Sequence, residues 1–269
     1  MNKISFVLPT IVRDFNLAEV SILSIIKLFN NADINGIYLI VPNNQIAYAS
    51  SFFVKYLQYI TIIDENILQI GNDIHGWQKQ QVIKLNICKI ISTEYYIVLD
   101  SDCYLTKKIS LSDIYINNKP IVALIEKHSN NWLLKSCAYF NINYENECPN
   151  MVMNVTPQIL KTSIVKELIG CHDVGKLILN GCNEFWLYFC FLIKKYNFND
   201  IYHVDENKQL QFGGCWVAEN MKNNNIFEFI NNQFDNEKVI FSLFQSNMNI
   251  NQDYYLPIIL DFINKKHNK

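Results

Sequence analysis

Arginine is almost missing from this chain of 269 residues: Arg13 stands alone against 22 lysines. Lys plus Arg is 23 and Asp plus Glu is 25, a net charge of −2. With no basic excess to offset a polyphosphate backbone, a dedicated nucleic-acid binder is excluded. Long hydrophobic runs are missing too. The longest, Phe185 to Ile193, has nine residues, less than half a membrane span. The start, MNKISFVLPT, meets a proline before an apolar leader region forms, so the expected location is cytoplasmic. No two of the eight cysteines form CxxC, which excludes zinc-ribbon and thioredoxin-like sites and leaves free thiols as the reading. Glycine is scarce at 8 residues, and neither a Gly-rich phosphate loop nor a GxSxG elbow is present. What is abundant is asparagine, 36 residues, which carries no chemistry, and hydrophobic residues at 50%, enough for a sizeable core.

The apolar residues alternate between two periods. Ile4–Leu8, Ile37–Val41, Tyr59–Ile63, Tyr95–Leu99 and Ile121–Ile125 are short continuous apolar runs and read as buried strands. Between them Leu17–Asn30, Ile46–Tyr56 and Gly76–Ile91 carry helical periodicity. Strand then helix over 125 residues predicts an α/β fold with a mainly parallel, doubly covered sheet, its ligands outside the carboxyl ends of the strands. Further on, Thr156–Ile169 and Glu184–Tyr196 read as helices, Val239–Phe244 as a strand and Leu256–Asn264 as a helix; Ser129–Val155 reads as irregular. No linker or repeat divides the chain, so residues 1–269 read as one domain with an elaborated C-terminal half. Its end, YYLPIILDFINKKHNK, reads either as an ordinary terminal helix with a solvated Lys tail or as a peripheral membrane contact.

Four stretches can carry chemistry. In YYIVLDSDCYL a buried strand runs into Asp100 and Asp102, with Ser101 between them. Two close carboxylates repel unless a proton or cation joins them, and such oxygen donors suit Mg²⁺ or Mn²⁺ with positions left for phosphate oxygens. A solvated turn is the plain alternative. In HGWQKQQVIKL the residues Trp77, Gln81, Lys84 and Cys88 fall along one helical stripe. A buried Lys84 needs an anion: Asp100, Asp102 or a ligand diphosphate; an exposed one simply snorkels. After the first strand, Pro9, Thr10, Arg13 and Asp14 lie at a carboxyl end, where the acid suits a ribose or base and the arginine a phosphate. Asp14 or Asn16 as a helix cap is the alternative. Glu184 heads a very apolar helix, as a dipole-matched acid or as a general base at a cleft mouth with its pKa raised by Phe185 and Trp186. His203, ahead of Asp205 and Glu206, is a candidate third metal ligand or a surface-turn histidine.

Together these pieces resemble bacterial glycosyltransferases of the GT-A fold, in particular sequences with a GW-x-x-QQ-x-x-K helix, a YLVLDSD strand and an E-[YF]-x-x-Y helix. Here these are Gly76, Trp77, Gln80, Gln81 and Lys84; Asp100, Ser101 and Asp102; and Glu184, Phe185 and Tyr188. The resemblance spans residues 4–195. It implies a Rossmann-like sheet flanked by helices, with residues 1–125 holding a nucleotide-sugar donor, a UDP-sugar foremost, and 126–269 an acceptor saccharide or lipid-linked saccharide. It implies Asp100 and Asp102 on Mn²⁺ or Mg²⁺, with His203, beyond the span of the resemblance, kept as the candidate third ligand; Pro9, Thr10, Arg13, Asp14, Gln81, Lys84, Asp100 and Ser101 on the donor; and Glu184 as the catalytic base. It further implies capsule or lipopolysaccharide assembly at the inner face of the membrane. Cys103 departs from the family's more frequent Thr. Aromatic residues Trp132, Tyr139, Phe140 and Tyr144 suit either sugar stacking or core packing. Other readings are a sugar-1-phosphate nucleotidyltransferase, which needs a Gly-rich loop that LPTIVRDF lacks, a non-catalytic carbohydrate or nucleotide binder, and a metal-dependent hydrolase.

Overall fold

The computed structural model describes residues 3–71, 73–153, 156–205, 209–210, 213–216, 225–246, 248, 250 and 251–268. Glu206, which follows the His203 stretch, lies outside the described residues. The N-terminal part forms β1 (Ile4–Pro9), α1 (Phe15–Leu28), β2 (Ile34–Val41), α2 (Ile46–Phe52), β3 (Ile60–Asp64), α3 (Gly76–Asn86) and β4 (Tyr95–Val98). The four strands are parallel in the order β4-β1-β2-β3. Every residue of β1 and β4 is buried, because helices cover both faces of the sheet, and that is why these runs are continuously apolar. This is the alternation expected from the two periods.

Beyond β4 the chain forms β5 (Cys103–Leu105), α4 (Leu111–Ile114), β6 (Tyr115–Ile116), β7 (Lys119–Pro120), β8 (Leu124–Glu126), α5 (Asn131–Tyr139) and β9 (Met151–Met153). It continues through β10 (Gln158–Lys161), α6 (Thr162–Cys171), α7 (Val174–Leu179), α8 (Glu184–Lys195), α9 (Phe198–Ile201), α10 (Ile226–Asp235), β11 (Phe241–Leu243) and α11 (Gln252–His267). Three expectations fail here. The run at Ile121–Ile125 is no member of the parallel sheet; β8 pairs antiparallel with β9. The helix expected from Thr156 begins only at Thr162, because Gln158–Lys161 is taken as the antiparallel fifth strand of the central sheet, beside β4. A short apolar run next to Pro157 satisfies either period, and pairing with β4 decides. Ser129–Val155 is not wholly irregular: it contains α5, capped by the Asn130 side chain on the Leu133 N–H, and β9.

The terminal helix α11 packs against α1 and α10 and buries Tyr255, Leu256, Ile259, Phe262 and Ile263. Its aliphatic face is therefore part of the core. Among the described residues no helix is long and apolar enough to cross a membrane.

Candidate active site

The carboxyl end of β4 breaks into a tight turn, Asp100 to Cys103, closed by the Cys103 N–H donating to the Asp100 carbonyl at 3.1 Å. Strand β5 then leaves antiparallel to β11, so the chain reverses around the two acids. Ser101 donates to Thr10 Oγ1 at 2.9 Å and to the Pro9 carbonyl at 3.4 Å, which ties this turn to the end of β1. The Asp100 N–H donates to Thr156 Oγ1 at 3.1 Å, at the approach to β10. Four segments thus converge on one short turn.

Asp100 is held from α3. Gly76 opens that helix at φ +53°, a conformation only glycine adopts without strain, and the residues that follow pack against β1. Lys84 Nζ lies 2.7 Å from Asp100 Oδ1, and Gln80 Nε2 donates to the same oxygen at 3.1 Å. The other partner of Lys84 comes from a hundred residues away: Glu184 Oε1, at 3.0 Å. Lys84 and Glu184 are each 2% exposed, whereas Asp100 is 29% exposed. The helix carrying Glu184 starts here because Asn183 accepts the Phe185 N–H at 3.0 Å and Gln81 Oε1 accepts the Glu184 N–H at 3.2 Å. Gln81 of α3 thereby supplies part of the cap of α8. Gln81 Nε2 and Glu184 Oε2 remain buried without a hydrogen-bond partner among the described residues.

The electrostatics follow from burial. Loss of water opposes the Lys84 charge, but Asp100 and Glu184 outweigh it, and the ammonium is held above the ordinary lysine range. Burial pushes the Glu184 carboxyl up, while Lys84 pulls it back. Asp102 is buried on the other side of the turn, where its Oδ2 accepts the Ser246 N–H at 2.9 Å and its carbonyl accepts the Phe244 N–H at 3.2 Å. Burial, then the charge of Asp100, push its carboxyl up to about 7, against the pull of the Ser246 N–H. A cation shared by the two carboxylates would reverse both penalties. Hard oxygen donors on a strand end, one of them partly open, fit Mg²⁺ or Mn²⁺, ions that take one or two carboxylates and complete their shell with phosphate oxygens.

Several expected residues lie elsewhere or act otherwise. Lys84 is no free cation for a diphosphate; both of its partners are protein carboxylates. Glu184 does not stand at a cleft mouth: its first helical turn is buried against α3, so its carboxylate meets Lys84 and not solvent. The backbone of His203 forms a parallel bridge with Ile121, its N–H donating to the Pro120 carbonyl at 2.9 Å, and no trio of His, Cys, Asp or Glu that includes its imidazole gathers as a metal cage among the described residues. Arg13, 76% exposed, pairs with Asp14, Nε to Oδ1 at 3.2 Å. Asp14 occupies the N-cap position of α1 without a side-chain cap bond, so the capping alternative does not hold. A cavity of about 410 Å³ lies on the opposite face of α3, lined by Val82, Asn86 and His172 among others, away from the carboxylates. Gln80 stood in the motif without an assigned role, and its bond to Asp100 is seen only in the structure. Ser246 carried no signal, since its contribution is a backbone N–H that any residue but proline supplies.

A family model described as "Family of unknown function (DUF6492)" matches residues 1–267. No curated protein matches the sequence. Among solved structures the chain is similar to mouse xyloside xylosyltransferase 1, with 11% identity and a TM-score of 0.50 over 93% of this chain and 100% of that one. It is also similar to the galactosyltransferase LgtC in complex with donor and acceptor sugar analogs, with 10% identity and a TM-score of 0.51 over 97% and 96%. The glycosyltransferase GlyE of Streptococcus pneumoniae TIGR4 matches at 13% identity and a TM-score of 0.51 over 98% of this chain and 63% of GlyE. At these identities the likeness establishes the fold, the mixed α/β architecture of GT-A glycosyltransferases.

Proposed function

The chain belongs to the DUF6492 family, and we propose that it is a metal-dependent glycosyltransferase. It transfers a sugar from a nucleotide-diphosphate donor, a UDP-sugar foremost, to a saccharide or lipid-linked saccharide. The observation that carries the reading is the pair Asp100 and Asp102 at the carboxyl end of β4, one partly open and one buried with a raised pKa, in a GT-A fold. Asp100 and Asp102 would hold Mn²⁺ or Mg²⁺, which when bound neutralises charge on the departing diphosphate. His203 is left out of that ligand set.

The chain's own residues divide the remaining work. Lys84 and Gln80 fix Asp100 through one oxygen, and the buried Glu184 fixes Lys84; all three act as positioning residues. Thr10 and Ser101 join the end of β1 to the turn and, with Pro9, shape the donor floor. Arg13 and Asp14 lie at the rim, where the acid suits a nucleoside hydroxyl and the arginine a phosphate. Residues 1–125 carry the donor side. Residues 126–269 carry the acceptor side and also lend β10 and Glu184 to the donor floor. The setting we propose is capsule or lipopolysaccharide assembly in the bacterial cytoplasm, at the inner face of the membrane.

The test is a thermal-shift panel of UDP, GDP, CDP and dTDP, each with Mn²⁺, Mg²⁺ or EDTA, on the wild type and Asp102→Ala. A ligand that binds only the folded state at a hundredfold excess over Kd stabilises it by about 2.7 kcal/mol. One diphosphate is expected to shift the melting point only with metal, and the shift is expected to vanish in Asp102→Ala. An EDTA-insensitive shift, or full metal-dependent affinity in the variant, overturns the assignment.

A further inference from the structure

Three tryptophans from three helix starts meet beside the carboxylates. Trp77 lies in the first turn of α3, Trp132 in the first turn of α5 and Trp186 in the first turn of α8. Ring centroids are 5.1 Å apart for Trp77 and Trp132 and 6.1 Å for Trp132 and Trp186. Trp186 is buried and its indole N–H donates to the Met153 carbonyl at 2.9 Å. The other two are open: Trp77 is 49% exposed and Trp132 41%. Trp77 precedes Gln80 and Gln81 by one helical turn on the same face, and those residues touch Asp100 and Glu184. The indole pair therefore borders the site on the side built by α5 and α8.

From this geometry we propose that Trp77 and Trp132 form the acceptor subsite, a platform on which the C–H face of a pyranose ring stacks. The assignment of this sugar as acceptor rests on the transfer reading above. Two large indoles exposed together are costly in water unless a partner covers them. Among the described residues, these are the only two exposed aromatic side chains whose rings pack on each other. Their surroundings are polar: His75, Gln78, His128, Asn130 and Asn131 flank them in sequence, and Asn130 Nδ2 lies 3.2 Å from His128 Nε2. A lipid surface or a protein interface needs a wider apolar area, whereas one or two sugar rings match both the size and the hydrogen-bonding rim. The aromatic face carries negative potential and attracts the weakly positive C–H face of a sugar. Trp132 is backed in turn by the buried Trp186, which reduces the ordering it needs on binding. Of the other aromatic candidates, Phe140 is buried and Tyr139 faces His172, so neither adds to this platform.

The experiment is saturation-transfer NMR on the full chain with Mg²⁺ and the nucleoside diphosphate that binds best. The probes are methyl pyranosides of glucose, galactose, mannose, xylose and N-acetylglucosamine, with glycerol as polyol control. Ring protons of at least one glycoside are expected to receive saturation while glycerol receives none. The effect is expected to fall by roughly fivefold in Trp77→Ala and Trp132→Ala and to recover in part in the phenylalanine variants. Melting points and nucleotide-induced shifts of the variants report that the fold and donor side are intact. Saturation no stronger than with glycerol, or equal saturation in wild type and both alanine variants, overturns the platform. Nucleotide binding without glycoside binding removes the platform alone. Glycoside binding on the tryptophans without any nucleotide shift removes the transfer reading and leaves a carbohydrate-binding site.

Discussion

Replacing Lys84 by Met removes the cation that two carboxylates share and leaves a side chain of similar volume. Glu184 suffers most: it is 2% exposed and its Oε2 already lacks a partner among the described residues. Asp100, 29% exposed, can turn toward solvent. Removing one partner of a buried pair costs about 3–5 kcal/mol, and the escape open to Asp100 places the expectation near the low end, about 3 kcal/mol. In a chain of this size that is a fall in Tm of about 6–12 °C. The double variant Lys84→Met with Glu184→Leu removes the stranded charge as well and is expected to return to within about 1 kcal/mol of the wild type, since apolar replacement of a buried pair is close to neutral. Urea denaturation at pH 7 measures both. The sign with pH follows from Glu184. Without Lys84 its folded pKa stands well above its unfolded one, so protonation favours the folded state. The single variant's deficit should therefore persist above the folded pKa and close as pH falls through it. A single variant within about 1 kcal/mol of wild type, a double variant as unstable as the single, or a deficit that widens toward acid would refute the buried-pair reasoning.

Other expectations follow from the same structure. Of eight free cysteines only Cys171 is exposed. A thiol reagent should therefore modify one site quickly in the native protein and all eight in denaturant; several fast native sites would contradict the packing. Asn183→Ala removes the cap of α8 and is expected to cost about 1 kcal/mol by urea melting; no loss would mean that Gln81 suffices alone. Tyr188→Phe deletes a hydroxyl that accepts the Lys161 N–H at 3.1 Å and meets the Tyr202 hydroxyl at 2.7 Å. A half-buried N–H left without its partner predicts a loss of about 1–3 kcal/mol, and an unchanged stability would refute that network.

Local pattern was enough for the front of the molecule. ISFVL, IYLIV and YYIVL read as buried strands because a parallel sheet covered on both faces favours apolar side chains at nearly every position; β1 and β4 are buried throughout and β2 over most of its second half. Asp100 and Asp102 mark a candidate site because acids directly after such a strand emerge where the sheet opens. The shared face of Gln81 and Lys84 follows from helical periodicity, although α3 ends at Asn86, short of Cys88, and the cost of burying an unpaired charge gives the conclusion that a lysine buried there needs an anion. Which anion it takes was beyond the pattern. Lys84 had three candidates, and the pairing with Asp100 and Glu184 together exists only because α8 docks its first turn against α3. That docking also turned Glu184 from an accessible acid into a buried one, a difference of solvation that no residue in its neighbourhood encodes. The exchange of a helix start for β10 has the same origin. Four residues satisfy both periods, and hydrogen bonds to β4, distant in sequence, select one. The meeting of Trp77 with Trp132 is likewise a product of packing. Periodicity repeats within a few residues and is legible in one segment, whereas a partner across the chain is chosen by how segments pack, and that choice is made in three dimensions.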